Sequence, residues 1–445
     1  MGDIAKTTLQ AVGDLLPIKA ELSEDNAEDD GMSSDEDDDD DDDADSKFTS
    51  QLYLYEAVGN ICSPPAVPVS DQVIYIRSIM TPLSEDMSRN LPAAISGDAR
   101  AVLQVHHLIL AQGTLAYGFS EWTPNSSSNG ANVPIPEIAE EFTKAAEAIL
   151  VALEALNTSQ EIRIASRSSF SRLVGVLGNR ILPQLPRWIR GLLSRASTKD
   201  EISMFLRLLD QIVFNFKTEI FHILDDLLTP FLQRVFEGMQ EPITGTDDKF
   251  QLTELKQQYL TFVMAVLWND QAGIFVSNKN QAIFESVIST LEHFTKDTED
   301  YTSAKLAFTT LIAMCTSWGG PDVIRANGTS TGQSPQPALP GFDRFMIERF
   351  SPLVWALPSN AAFDPRDAQA KNVLGEAAGL QMAIYIKLGA EYLSYLEQTE
   401  LKNLGLNPEG IKQYLEALVT VDSKKFKRYF QVSSFCILIS QGRCD

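Results

Sequence analysis

Apolar residues recur at intervals of three and four along most of the chain, and residues 198–239 show the rule in its most compact form. Ile202, Phe205, Leu206, Leu209, Ile212, Val213 and Phe216 form one stripe, opposed by Ser203, Arg207, Asp210 and Gln211. That is the spacing of a helix that buries one face. Thr198-Lys199-Asp200-Glu201 just before it reads as a capping box, in which the Thr198 hydroxyl accepts from the Glu201 amide while the Glu201 carboxylate reaches back. After Lys217 and Thr218 the stripe restarts with Phe221, Leu224, Leu228, Phe231 and Val235. Thr229-Pro230 inside this second run predicts a kink or two short helices, with the threonine as cap and the proline in a first turn. Two striped helices joined by a tight turn cannot bury both stripes against each other alone. The pattern therefore predicts stacked helical hairpins.

The same periodicity predicts a short helix over residues 4–18 that breaks near Pro17, then helices over 48–61, 137–156, 160–174, 252–268, 281–294 and 303–318. Asp98 caps a helix to Leu115, and residues 73–80 and 91–95 are less patterned. Residues 181–193 are helical but punctuated by Pro183 and Pro186. Further on, residues 342–357 are striped, Asp364-Pro365 opens a long helix to Leu396, Asn407-Pro408 opens another, and 424–439 close the chain. Residues 123–136 and 319–341, rich in Gly, Pro and Ser, are loops. Period-two alternation is almost absent. The fold class expected is all-α, an α-solenoid built as a stack of antiparallel helix pairs.

With 445 residues, 44% of them hydrophobic, the chain exceeds the roughly 250–300 residues that one core holds. A repeat of about 40–47 residues gives roughly nine units. The formal net charge is −24, but residues 24–45 carry 15 carboxylates and no Lys or Arg, and without them it falls to −9. Residues 35–43 are acidic throughout, so this stretch repels itself and reads as a disordered insert. Two sharper roles for it are competition with nucleic acid for basic surface and phosphorylation at Ser33 and Ser34. Cys62, Cys315, Cys436 and Cys444 form no CxxC, which argues for a reducing, intracellular setting and against a disulfide or zinc framework. No apolar run reaches the roughly 20 residues of a membrane span, and no signal-peptide order opens the chain. Met1-Gly2 lacks the serine or threonine that myristoylation wants at position 6, which is Lys6.

Candidate chemistry is thin. Gly328-Thr329-Ser330-Thr331-Gly332 fits GxSxG but lies in a proline-rich coil rather than at a strand-to-helix turn. His106 and His107 are adjacent and cannot share a metal face, which needs i, i+4 spacing, and His222 and His293 are isolated. No phosphate-binding loop or dinucleotide fingerprint occurs. The expectation is a non-enzyme with no cofactor and no metal. Charge segregation is more telling: residues 162–199 hold Arg163, Arg167, Arg172, Arg180, Arg187, Arg190, Arg195 and Lys199 and no Asp or Glu. Guanidinium forks grip phosphate oxygens, so lined along one wall they make a sequence-blind phosphate track. The competing reading is a solvated or ion-paired surface, since Arg163 and Arg167 stand at i, i+4 and can pair with acids on a neighbouring repeat. Lys424, Lys425, Lys427 and Arg428 make a second, weaker basic patch.

Several stretches resemble the tRNA exportin family, exportin-T, in its fungal form. They are Gln51-Leu52-Tyr53-Leu54-Tyr55-Glu56-Ala57-Val58-Gly59, Asp98 through His107, and Ser169-Phe170-Ser171-Arg172-Leu173-Val174-Gly175 leading into Ile181-Leu182-Pro183-Gln184-Leu185-Pro186. Residues 198–239 and 371–430 are similar too, so the likeness covers about 48–430. It is a whole-segment likeness and transfers no single residue. The resemblance implies a HEAT-repeat karyopherin that carries tRNA out of the nucleus with Ran in its GTP form, passes nuclear pore proteins, and shuttles between nucleus and cytoplasm without binding membrane. It also implies that this chain is the C-terminal portion of a longer protein, with the main Ran-binding region outside it. In that frame residues 1–21 are the remnant of a preceding repeat, 22–47 the acidic insert, 48–431 the repeats, and 432–445 an atypical, apolar tail. The resemblance implies that tRNA is held by backbone and shape contacts, as duplex RNA requires, with the arginine-rich segment as one wall. The alternative is a HEAT scaffold binding a protein partner without RNA.

Overall fold

The structure is a computed structural model that describes residues 2–22, 39–120, 122, 134–194, 197–324, 338–364, 366–420 and 422–440. Among the described residues there are helices, turns and coil and no strand. The expected all-helical HEAT class is what the chain adopts. It divides into two compact units, the first ending at Glu201 and the second beginning at Ile202.

In the first unit α1 (Gly2–Val12), α2 (Asp39–Cys62), α3 (Val69–Ile95), α4 (Ala99–Tyr117), α5 (Pro136–Ala155), α6 (Gln160–Leu177) and α7 (Leu185–Leu192) follow in order. From α2 onward, successive helices alternate between two layers: α2, α4 and α6 lie side by side in one, α3, α5 and α7 in the other. The core between them is apolar and aromatic, with Phe142, Phe170 and Trp188 wholly buried and the Phe170 and Trp188 rings 4.7 Å apart. Asp98 caps α4 as expected, accepting from the Ala101 amide at 2.9 Å.

The second unit contains α8 (Lys199–Phe216, whose first turn closes the first unit), α9 (Phe221–Gln240), α10 (Thr246–Trp268), α11 (Gln281–Phe294) and α12 (Tyr301–Trp318). Two short helices follow, α13 (Phe342–Phe345) and α14 (Leu353–Ala356), with a π-turn at Met346–Phe350 between them. Next come α15 (Ala368–Leu388), α16 (Ala390–Tyr395), a π-turn at Leu396–Glu400, α17 (Leu401–Asn403), α18 (Pro408–Val419) and α19 (Ser423–Ser440). Neighbouring contacts run α10 to α12 to α15 to α19, while α9 packs on α11.

Several expectations need correction. Residues 73–95 are not loosely patterned but belong to the single helix α3, which runs through Pro82 and Pro92. Pro230 splits nothing, because α9 is continuous. The helix after residue 364 is capped by Asp367, which accepts from the Gln369 and Ala370 amides, not by Asp364. It stops at Gly389, whose φ of 58° suits glycine, instead of running to Leu396. Residues 16–22 leave the helix expected over 4–18. Helix α2 begins at Asp39, inside the stretch read as acidic insert. The remainder of that stretch, with Ser33 and Ser34, lies outside the described residues, as do the GxSxG run and Arg195.

Candidate nucleic-acid interface

The capping box forms, and it immediately claims one of the arginines. The Thr198 amide donates to Glu201 Oε2 at 3.0 Å, and the Glu201 amide donates to Thr198 Oγ1 at 3.3 Å. The same carboxylate takes a bidentate fork from Arg163 on α6, Nε to Oε1 at 2.9 Å and Nη2 to Oε2 at 2.8 Å. Both side chains are only 2% exposed. Arg163 therefore ties α6 to the first turn of α8 and is not available to a ligand. Lys199 is buried as well. Both assignments to an RNA surface are corrected on that ground: a phosphate cannot reach a side chain enclosed by protein.

Arg187 on α7 is spent differently. Its Nη1 donates to Glu147 Oε1 at 2.7 Å and its Nε to Glu154 Oε1 at 2.8 Å, so two carboxylates of α5 clamp one guanidinium. Those hydrogen bonds raise its pKa and lower that of Glu154, each ion favouring the charged form of the other. Arg190, exposed one turn on, feels the same Glu154. Arg180 is exposed and its Nη1 lies 3.4 Å from the Pro136 carbonyl oxygen. Arg172 donates to Thr114 Oγ1 across α6 and α4. Arg167, partly buried, has its pKa lowered by that burial, with Glu201 and Asp200 acting in the opposite sense.

The described basic residues of this segment thus do not form one wall. Arg163, Arg167 and Arg172 belong to the layer of α2, α4 and α6, whereas Arg187 and Arg190 belong to the layer of α3, α5 and α7, and Arg180 sits on the turn between layers. In the second unit Lys424, Lys425 and Arg428 are exposed along the start of α19, with Lys425 3.4 Å from Asp422, while Lys427 pairs with Glu376 at 3.1 Å. Charge counted along the chain missed Glu147, Glu154 and Glu376 because they lie on adjacent helices. Glu147 and Glu154 precede Arg187 by 40 and 33 residues. A helical-repeat register, with each helix read against its neighbours, was the signal that would have found them.

The adjacent histidines pack beside Phe48. His107 stacks on Phe48 with ring centroids 3.5 Å apart, and burial pushes it down to about 4. Among the described residues no group of His, Cys, Asp and Glu is placed to hold a metal. No described helix is long and apolar enough to cross a membrane.

A sequence model of one family, Exportin-T, matches residues 1–436. The chain belongs to the Exportin-T family. Exportin-T of Aspergillus fumigatus (strain Af293) is 55% identical over 442 residues, covering 98% of this chain and 42% of its own length. Exportin-T of Aspergillus oryzae is 55% identical over 432 residues, 97% of this chain and 42% of that protein. Exportin-T of Emericella nidulans is 53% identical over 430 residues. This Exportin-T chain thus spans about two fifths of the length of the curated relatives it matches. Of the described candidate basic side chains, those that remain accessible are fewer than the charge pattern suggested, and they are distributed over both layers of the first unit and one helix of the second.

Proposed function

We propose that the chain is a portion of a tRNA export receptor, binding tRNA by phosphate and shape contacts within an export complex that requires Ran in its GTP form. In this reading it passes nuclear pore proteins and cycles between nucleus and cytoplasm. Membership of the Exportin-T family over nearly the whole chain is the observation that carries it. The contact set is Arg167, Arg172, Arg180 and Arg190 in the first unit, and Lys424, Lys425 and Arg428 in the second. Arg163, Arg187 and Lys199 serve the fold. The clamping of Arg187 by two carboxylates is also what favours the second reading, a scaffold for a protein partner, because one guanidinium between two carboxylates is left with a net negative charge that repels phosphate.

Titrating tRNA against the chain over 50–300 mM salt separates the two. Phosphate contacts release counterions, so log K falls linearly with log salt, and the slope lessens by roughly one for each contact removed. The triple variant Arg172→Glu, Arg180→Glu, Arg190→Glu weakens binding and flattens the slope, while Arg187→Gln leaves it nearly unchanged. A slope near zero in the parent chain defeats the phosphate mechanism and leaves the scaffold.

A further inference from the structure

Residues 13–22 leave α1 and cross the groove between α2 and α4 without joining either helix. Ile18 and Ala20 are 6% and 1% exposed, while Pro17 and Lys19 face outward. That alternation is the signature of an extended segment. No strand pairs with it. Its main chain is held by side chains instead: Gln51 Nε2 donates to the carbonyls of Leu15 and Pro17, both at 3.2 Å, and the Tyr55 hydroxyl donates to that of Leu16 at 2.6 Å. Gln104 is used at both ends, its Nε2 donating to the Ile18 carbonyl at 2.9 Å and its Oε1 accepting from the Ala20 amide at 2.6 Å. Arg100 Nε donates to the Ala20 carbonyl at 3.1 Å.

All these bonds go to peptide groups, which every sequence possesses, so selectivity is left to the sites that take Ile18 and Ala20. Grooves that recognise extended peptides divide the labour in this way, main-chain bonds for affinity and alternate side chains for specificity. The segment is also underpacked. A solvent-open cleft of about 370 Å³, also lined by Asp86 and Arg89, lies between Leu16, Pro17 and Ile18 on one side and Ile79, Leu83 and Leu108 on the other. Side-chain atoms that face it lack protein packing partners there, and segments with few apolar contacts open locally before the core does.

We propose that the groove between α2 and α4 is a peptide-docking site that reads the backbone, and that Leu15–Ala20 is its resident, exchangeable ligand. The competing ligand is an extended peptide of another protein, carrying a branched aliphatic residue followed two positions later by alanine or glycine. The contacts of the resident segment define that chemistry, since both buried positions are separated by one outward residue.

Two measurements on the full chain test this. In native-state hydrogen exchange, the Ala20 amide exchanges at least ten-fold faster than the Leu108 amide of α4; equal rates overturn the proposal, because the segment then opens only with the core. In the second, a labelled peptide of residues 13–22, GDLLPIKAEL, is titrated against the parent chain and against Ile18→Asp, which loosens the resident segment. Binding tightens at least ten-fold in Ile18→Asp and is lost again in Ile18→Asp/Gln104→Ala, and a peptide carrying Asp in place of its isoleucine does not bind. Equal affinity for parent and Ile18→Asp, or binding of the charged peptide, overturns it. If Ile18→Asp does not fold, the exchange rates of the parent decide alone.

Discussion

Glu201 performs two tasks with one carboxylate, capping α8 through the Thr198 amide and gripping Arg163 from α6. A buried pair of this kind is costly to break from one side, since the survivor is left as an uncompensated charge; the usual loss is about 3–5 kcal/mol. Arg163→Ala is expected to lose stability on that order, read as a fall in the urea midpoint with unchanged slope. Arg163→Met combined with Glu201→Leu recovers much of it, because replacing both charges with apolar groups removes the desolvation penalty as well as the bond. Loss of tRNA binding by Arg163→Ala at temperatures where the chain stays folded contradicts the purely structural role. The lesson for residue-level reading is specific. Arg163 and Arg187 read as phosphate ligands because residues 162–199 hold no acid, yet their partners come from neighbouring helices, and spacing pointed to such a partner only for Arg163.

Helices were legible where the apolar stripe and the end signals agreed. The expected 281–294 and the observed α11 coincide, and Asn407 caps α18 by accepting from the Gly410 amide at 2.7 Å. They were less legible at residues 73–80 and 91–95, where the stripe is weak, and at Pro230, which does not split α9. Pro82 and Pro92 both lie on the exposed side of α3, where a missing amide bond leaves a carbonyl that water can satisfy, so the helix continues. Close packing between helices was not visible in the stripe at all. A Cβ added to Gly118 would lie 2.3 Å from the Gly59 carbonyl carbon, and one added to Gly113 would lie 2.7 Å from Ser169 Cα. Small residues thus set the spacing of α2, α4 and α6, and Ser169 completes the α4–α6 contact by donating to the Ile109 carbonyl at 2.9 Å. Gly113→Ala gains up to about 1 kcal/mol of helix propensity but forces backbone against backbone, where overpacking costs about 1–3 kcal/mol. The expected result is net destabilisation in urea, relieved in part by Ser169→Gly; a stabilised Gly113→Ala chain contradicts the close approach.

At the scale of the whole chain, a net charge of −24 opposes any polyanionic ligand before a single contact forms. The field of a protein acts on approach as well as on binding, so under the proposed tRNA reading carboxylates distant from the contact set would still weaken affinity. Residues 23–38 contribute nine of them. Replacing that stretch with a Gly/Ser sequence of equal length brings the formal charge to −15, while leaving every described contact of the fold untouched. If the tRNA reading is right, the replaced chain binds tRNA several-fold more tightly at 50 mM salt. The gain shrinks as salt rises and is gone near 1 M, where the screening length is about 3 Å. A gain that persists at high salt points instead to direct occupation of the basic residues by the acidic stretch, because contact pairs are screened less than distant charges. No gain at low salt means that these nine carboxylates do not act on the RNA, and the long-range charge argument fails.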